Sequence, residues 1–302
     1  MNNDILKKKI QNNFIVFVVF NFLVQIINII KFHVIFKFKY KYKYISKKKI
    51  IEILERRKKQ KNSNVCHIIG GGYSFNYSIN KISKKDFVLG CNLSALEKIN
   101  FDFYSVEFAS TKKLYEPKFT VLNLIKKKLK NQKTLIIFKN IASKEINRIF
   151  LKKYYQNNIN FITEYSWRCF NLKQLQFYLK NYILKDRSNF YQYNSTMIFL
   201  ILIAHKLNFK KIVLHGVDFG GKYFFSNKRY KISNQIKFLK ELKQYEKKNI
   251  SKNGIYLNHE NLNMPEVFKI IAKYLIKENI TLYSGSEKSN ASKILKTYKQ
   301  FK

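Results

Sequence analysis

One histidine in a polar stretch near the end of the chain is the best candidate for acid–base chemistry. His259 stands in "YLNHENLNMPEVF", shortly before a predicted helix. An imidazole in a polar loop has a pKa suited to general-base work. A solvated loop histidine without a catalytic role is the alternative. The remaining histidines suit chemistry less, with the strand-ending His215 the second choice; the others are His33, His67 and His205.

Three consecutive glycines follow the first apolar run of the globular part. Gly70, Gly71 and Gly72 come after "VCHII" and are followed closely by Ser74. Glycines let the backbone approach a ligand, and consecutive N–H groups can form an anion-binding nest. The spacing matches neither GxGxxG nor GxxxxGK[ST]. A nucleotide-facing loop and a flexible turn both remain open from these residues alone.

A second glycine-rich loop, "HGVDFGGKYFF", follows a later apolar run. Gly216, Gly220 and Gly221 mark tight turns in it. Asp218 can fix such a loop by accepting backbone N–H groups. Tyr223 can donate a hydrogen bond to a phosphate, with a core tyrosine as the alternative.

Polar residues also stand at three further ends of predicted strands or helices. Asn92, in "GCNLS", could contact a nucleotide or serve as a turn residue or helix cap. Asn194 or Ser195 can cap the apolar helix that starts beside Thr196, and Asn263 can cap the last helix, with Pro265 in its first turn.

The residues named above must be positioned by strands and helices, which short apolar runs and helix-length patterns predict. Strands are predicted at Val65–Ile69, 87–89, 103–106, 134–138, 211–214 and 280–283; helices are predicted at 118–130, 144–156, 172–184, 195–207 and 265–277. The alternation predicts an α/β fold, a Rossmann-like and mostly parallel sheet with helices on both faces and a lid loop region. Ligands bind at the carboxyl ends of such strands, where the loops described above lie.

The charge of the chain is strongly positive and is spread along the chain, not confined to the N-terminal segment. The net charge is +41, and residues 1–61 hold 16 of the 59 Lys and Arg. The abundance of Lys, Asn, Ile, Phe and Tyr is typical of A/T-rich codons, so we do not expect nucleic acid as a partner. The sign of the charge still indicates an anionic partner of some kind. The three cysteines, Cys66, Cys91 and Cys169, lack the spacing of a zinc site or a disulfide framework.

The first 61 residues form a separate predicted unit. An apolar run at 14–30 follows three lysines, and Asn21, Gln25 and Asn28 fall on one helical face. "FKFKYKYKY" then alternates aromatic rings with lysines, which suits a lipid headgroup layer or an edge strand. We expect residues 1–61 to associate with a membrane, by a span or at its surface, and residues 62–302 to form the main globular domain on the cytoplasmic side.

Taken together, the motifs resemble the bacterial CMP-sialic-acid-dependent sialyltransferases that act on lipooligosaccharide. The resemblance rests on the order of "IIGGGYS", "GCN", "NSTMIFLILIAHKLNFKKIVLHGVDF", "KYFF" and "NHENLNMPEVFKIIAKYLIKENITLY". It covers roughly residues 65–295, of which 111–190 is not assignable.

The resemblance implies sialyl transfer from a CMP-activated donor to a surface glycan or glycolipid, with inversion and with neither a cofactor nor an obligatory metal. His259 would be the general base and Tyr223 would stabilise the departing phosphate. The implied donor-binding residues are Gly70, Gly71, Gly72, Ser74, Asn92, Ser195, Thr196, Gly216 and Asp218.

Three positions depart from the family pattern. Gly71 stands where the family has Asn, Gly220 where it has a second tyrosine, and Tyr193 where it has Arg. A different CMP-activated acidic sugar would fit these departures, as would an inactive homologue. The alternatives are a nucleotide-using enzyme of the pyrophosphokinase-like type and a non-enzymatic basic protein that binds membrane or nucleic acid. The sequence allows a homo-oligomer and leaves the oligomeric state open.

Overall fold

The apolar runs of the sequence form one parallel sheet. The structure is a computed structural model that describes residues 3–32, 45–97, 99–107, 134–139, 160–162, 165–166, 169–186, 189–192, 195–224, 258–259 and 262–299. The strands are β1 Val65–Ile69, β2 Phe87–Cys91, β3 Phe103–Glu107, β4 Leu135–Lys139, β5 Asn160–Ile162, β6 Tyr165–Ser166, β7 Tyr191–Gln192, β8 Lys211–His215, β9 Asn258–His259, β10 Leu262–Asn263, β11 Thr281–Ser284 and β12 Lys296–Thr297.

Eight of these strands make the main sheet, in the order β12-β11-β8-β1-β2-β3-β4-β5. All seven pairings are parallel, and β1 and β8 lie side by side with Ile69 opposite His215. The chain proceeds from β1 to β5 on one side and through β8, β11 and β12 on the other. The direction of the chain therefore switches between β1 and β8, where open α/β sheets form a crevice.

Six α-helices accompany the sheet within the described residues. They are α1 Asn3–Asn12, α2 Phe14–Phe32, α3 Lys47–Lys61, α4 Leu172–Tyr178, α5 Thr196–Lys206 and α6 Met264–Ile276, and α4 continues as a π-helical turn at Leu179–Ile183. Polar side chains cap several of them: Ser46 accepts the Lys49 N–H, and Ser195 accepts the Met197 N–H. Such caps satisfy donors that a helix start leaves unpaired.

The two faces of the sheet are covered differently. Cys66 and Ile68 of β1 face a core shared with the α-helices, of which α5 is buried along nearly its whole length. His67 faces the other way, towards the His215 side chain, on which Phe75 of the 3₁₀ turn Tyr73–Tyr77 packs. The predicted parallel α/β fold with helical elements on both faces and a preceding N-terminal helix is confirmed. The predicted helices at 118–130 and 144–156 and the lid loop lie outside the described residues.

The N-terminal helices pack into the same core as the sheet. Ile10, Phe17, Ile50 and Leu54 are buried in it, and Nε2 of Gln174 donates to the carbonyl of Ile10 at 3.0 Å. Within the described residues, no helix combines the length and the apolar character needed to cross a membrane. The boundary between residues 1–61 and 62–302 stays a prediction, and the aromatic–lysine alternation at 36–44 lies outside the described part.

Candidate active site

The loops that follow β1 and β8 are joined along their backbones at the switch point. Residues 70–73 and 215–224 exchange four backbone hydrogen bonds of 2.8–3.0 Å, and Gly72 and Tyr223 form an antiparallel bridge. The donor–acceptor pairs are Gly70 with His215, Gly72 with Gly216, Tyr73 with Lys222, and Phe224 with Gly71. The two glycine-rich motifs of the sequence therefore form one structural unit.

Close backbone approach explains why this unit is rich in glycine. A Cβ atom at Gly70 would lie 2.7 Å from the carbonyl oxygen of Gly216, and one at Gly72 would lie 2.6 Å from Oδ2 of Asp218. Both distances are below van der Waals contact. Gly216 has φ of +63°, a conformation that residues with a Cβ rarely adopt.

Asp218 ties the second loop to the first. Its Oδ2 accepts the Ser74 N–H at 2.8 Å, as the sequence interpretation of a loop-fixing aspartate expects. Oδ1 of Asp218 and Oγ of Ser74 are buried and have no hydrogen-bond partner among the described residues. Buried polar atoms without partners are rare, so these two mark a place where a water molecule, a ligand or another part of the chain is expected to supply a hydrogen bond.

The glycine loop has few N–H groups left for an anion. The N–H groups of Gly70, Gly72, Tyr73 and Ser74 all donate within the protein. Gly71 is the residue of this loop whose N–H has no acceptor among the described residues. Of the consecutive N–H groups that were predicted to form an anion-binding nest, the Gly71 N–H is thus the one left for an anion, beside the Ser74 hydroxyl.

Tyr223 lies directly over the glycine loop. Its ring carbon Cδ1 would be 3.3 Å from a Cβ atom at Gly71, and the tyrosine is half-buried. The absence of a side chain at Gly71 leaves room for this ring. The structure therefore brings together the predicted phosphate-stabilising tyrosine and the predicted donor loop, and their chemical roles stay predictions.

The ends of β2 and α5 lie next to this unit. Sγ of Cys91 is 3.6 Å from the Ile69 carbonyl and 4.0 Å from Sδ of Met197 in the first turn of α5. The Ser195 hydroxyl caps α5, and Thr196 is buried behind it. Asn92 begins the 3₁₀ turn Asn92–Leu96. Most of the predicted donor-binding positions thus converge at one edge of the sheet.

His259 stands in a two-stranded antiparallel sheet. Its backbone in β9 pairs with Leu262 of β10, which leads directly into α6. Phe268 of α6 packs on Phe219 of the loop after β8, with ring centroids 5.2 Å apart. The segment that carries His259 is therefore linked to the site through α6. The side chains of His259 and Asn92 lie outside the described part.

Two residues near the C-terminus support the site without having been predicted. Oγ of Ser289 donates to the Val217 carbonyl at 2.7 Å, and Nδ2 of Asn290 donates to the Asp218 carbonyl at 2.8 Å. Both belong to "SGSEKSN", a polar run at the carboxyl end of β11. The position of this polar run after a strand is the sequence signal from which Ser289 and Asn290 could have been predicted.

A buried pair of histidines lies beneath the joined loops. Nδ1 of His67 is 2.8 Å from Nε2 of His215, and Nδ1 of His215 is 2.9 Å from Oγ of Ser78. Burial lowers the pKa of His215 well below its ordinary value, and the charges of His67 and Lys81 act in the same direction. His215, the second choice as a general base, is fully buried and instead belongs to the support of the site.

The partly buried Asp86 lies beside this pair. Its Oδ2 is 3.3 Å from Nε2 of His67, without forming a regular hydrogen bond. Burial raises the pKa of Asp86, but the contacts with His67 and the Ser83 N–H outweigh it and hold that pKa below its usual range. Beneath the glycine loop, β1 and β8 therefore hold interacting polar side chains next to buried apolar residues such as Phe75.

Comparisons with known proteins give structural likeness only. No family model and no curated protein matches the chain. The α-2,3-sialyltransferase Cst-I from Campylobacter jejuni is 16% identical, with a TM-score of 0.46, over 78% of this chain and 80% of that one. The sialyltransferase CstII from Campylobacter jejuni, in complex with the substrate analogue CMP-3FNeuAc, is 20% identical, with a TM-score of 0.45, over 77% and 85%. Such low values neither assign the chain to that family nor transfer residue roles to it.

Proposed function

We propose that the chain is a glycosyltransferase that transfers sialic acid, or a related acidic sugar, from a CMP-activated donor to a glycan or glycolipid acceptor. The observation that carries the proposal is the packing of Tyr223 across the loop 70–74 at the switch point of the sheet. The motif order of the sequence supports it, because each motif implied by the resemblance follows a strand or starts a helix.

In the proposed reaction the acceptor hydroxyl attacks the anomeric carbon of the sugar. The new carbon–oxygen bond forms as the bond to the CMP phosphate breaks, which inverts the configuration. His259 takes the proton of the acceptor hydroxyl, a contribution of about 10²–10⁴ in rate. The phosphate leaves with the bonding electron pair, and the Tyr223 hydroxyl donates a hydrogen bond to it.

The donor nucleotide would lie on the edge formed by the two loops and the start of α5. The Gly71 N–H and the Ser74 hydroxyl are the available donors for a phosphate or ribose oxygen. Ser195 and Thr196 stand at the start of α5, whose dipole favours an anionic group such as the sugar carboxylate. Asp218 and Gly216 hold the second loop in position, and Asn92 would contact the nucleotide.

The test is release of CMP from CMP-sialic acid by the full chain, with and without a galactose-terminated acceptor. We expect His259→Ala to lower the rate by about 10²–10⁴ and Tyr223→Phe by about 10². Tyr182→Phe is the matched control, because Tyr182 is exposed at the end of the π-helical turn after α4. Equal thermal midpoints establish that the variants are folded.

Other outcomes would overturn the assignment. If wild type releases no CMP but consumes ATP in the presence of Mg²⁺, the pyrophosphokinase-like alternative replaces it. If wild type has neither activity and binds DNA in a salt-dependent manner, the chain is a basic binding protein. An active His259→Ala variant would remove the histidine from its proposed role.

A further inference from the structure

The long helix α2 has an apolar face that the described residues leave largely exposed. Nine of its large apolar side chains are 37% to 74% exposed; they are Phe14, Ile15, Val19, Phe22, Leu23, Ile26, Ile27, Ile29 and Ile30. With 3.6 residues per turn they form one continuous arc along the helix. This face amounts to roughly 800 Å², more than the largest apolar patch of a typical monomer.

The opposite side of α2 is held against the globular part. Phe17 and Asn21 are fully buried, and Gln25 is nearly so. The Phe14 ring packs on Phe177 of α4 with centroids 4.4 Å apart. The amide stripe that the sequence shows is therefore turned inward at Asn21 and Gln25. The helix lies along the protein surface with its apolar arc facing outward.

The charge around α2 matches an anionic surface. Residues 5–51 contain eleven lysines and no Asp or Glu. Lys8 and Lys9 in α1 and Lys180 after α4 are exposed on the elements that pack against α2. Each lysine near an anionic bilayer adds to the attraction. The same charge repels a second copy of the chain, which makes self-association through this face unfavourable.

We propose that α2 docks the protein in the plane of an anionic phospholipid surface. Its apolar arc enters the boundary between headgroups and acyl chains, about 5–10 Å deep. The flanking lysines contact lipid phosphates, and the inward face keeps its contacts with α4. This docking is independent of the chemistry at the switch point and would hold for an inactive chain.

Vesicle flotation of the full chain tests the docking. Wild type is expected to float with vesicles of phosphatidylcholine and phosphatidylglycerol at 3:1, and less with pure phosphatidylcholine. The double variant F22D/I26D should lower the partition coefficient at least tenfold. The matched control is I276D, which places a carboxylate on another exposed apolar residue at the end of α6.

Two results would overturn the proposal. The first is undiminished flotation of F22D/I26D, or an equal loss in I276D. The second is failure of wild type to float while it sediments as a dimer that F22D/I26D dissociates, which would assign the face to a second copy. Both sites are exposed, so the thermal midpoints of the variants should equal that of wild type.

A separate experiment measures the orientation of α2 at the membrane. Positions 15, 22 and 29 are seven residues apart and all exposed on the same arc. In a Trp167→Phe background, single tryptophans at these positions should be quenched equally by shallow brominated lipids. A spanning helix would separate positions 15 and 29 by about 21 Å in depth. Quenching depths that differ by that amount would refute in-plane docking.

Discussion

Nζ of Lys61, in the last turn of α3, lies 2.7 Å from Oδ2 of Asp102, a carboxylate that is only 7% exposed. The same Oδ2 accepts the Val88 N–H at 2.8 Å. Arg57 of α3 also donates to the Asp102 carbonyl. One buried acidic residue before β3 thus connects the N-terminal helices to the sheet.

Removal of this lysine should be costly in a pH-dependent way. Burial raises the pKa of Asp102, and Lys61 opposes that rise. We expect Lys61→Met to lower the free energy of unfolding by about 3 kcal/mol at pH 7, because a buried carboxylate loses its partner. The deficit should shrink as the pH falls towards 4, since protonation removes the charge. Urea denaturation at both pH values measures it.

The control for that variant is Lys49→Met. Lys49 is 3.8 Å from Glu52 on the exposed side of α3, with both side chains more than 40% exposed. Exposed pairs contribute about 0–1 kcal/mol. A loss in Lys61→Met no larger than in this control would contradict the structural importance of the Lys61–Asp102 contact.

The buried histidine pair should make the fold sensitive to acid. The depressed pKa of His215 keeps its ring neutral in the folded protein, whereas the unfolded chain takes up a proton near pH 6.5. Stability is therefore full above about pH 6.5 and falls by up to about 1.4 kcal/mol per pH unit below it.

The thermal midpoint between pH 8 and 5 measures this effect. Protonation of His215 would also place a positive charge beside the ring of His67, whose Nδ1 lies 2.8 Å from Nε2 of His215. The His215→Gln variant cannot take up this proton, so it should show a flatter dependence on pH than wild type. Identical slopes for the two proteins would rule out His215 as the source.

Neighbouring glycines of the donor loop should respond differently to alanine. A Cβ atom at Gly70 meets the carbonyl oxygen of Gly216 at 2.7 Å, and backbone on both sides resists movement. We expect Gly70→Ala to cost about 2–3 kcal/mol. At Gly71 the nearest atom is Cδ1 of Tyr223 at 3.3 Å, and a small ring shift accommodates it.

Gly71→Ala should therefore cost about 1 kcal/mol or less. Urea midpoints of the two variants test the difference. Because the Tyr223 ring must move in Gly71→Ala, the rate of CMP release by this variant should fall clearly, although its free energy of unfolding changes little. Equal destabilisation at both positions would mean that the loops after β1 and β8 are not joined as described.

The Asp218–Ser74 contact should stabilise the fold mainly through its hydrogen bond, and less through the negative charge of Asp218. Asp218→Ala leaves the Ser74 N–H without its acceptor, at a cost of about 1–3 kcal/mol. Asp218→Asn keeps an acceptor oxygen and should retain most of the stability. Amide hydrogen exchange at Ser74 reports the contact directly, and unchanged protection in Asp218→Ala would contradict it.

Much of the sheet could be predicted from the sequence because local pattern controls it. The run Val65–Ile69 is a strand with the predicted bounds, and five further strands begin within one residue of their prediction and end one or two residues later. Fully buried parallel strands read as short apolar runs between polar turns, as "KIVLH" does. The cap at Ser195 followed from the residues of the helix start.

The arrangement within the site could not be predicted, because it depends on contacts between distant segments. Nothing local shows that the Ser74 N–H meets Asp218, or that Ser289 and Asn290 brace the loop after β8. His67 stands on the sheet face that the 3₁₀ turns cover, and the strand pattern alone does not reveal its partner His215. The N–H groups of three glycines suggested a nest, but two of them already donate to the loop after β8.

The central position of β1 and β8 has a consequence for synthesis of the chain. His67 and His215 are 148 residues apart in sequence, yet they touch in the middle of the sheet. At ribosomal speeds of about 5–20 residues per second, β1 must wait on the order of ten seconds before its neighbour exists. During that interval β1 can pair only towards β2, and its other edge is open. Newly made chains should therefore depend on chaperones until translation passes β8.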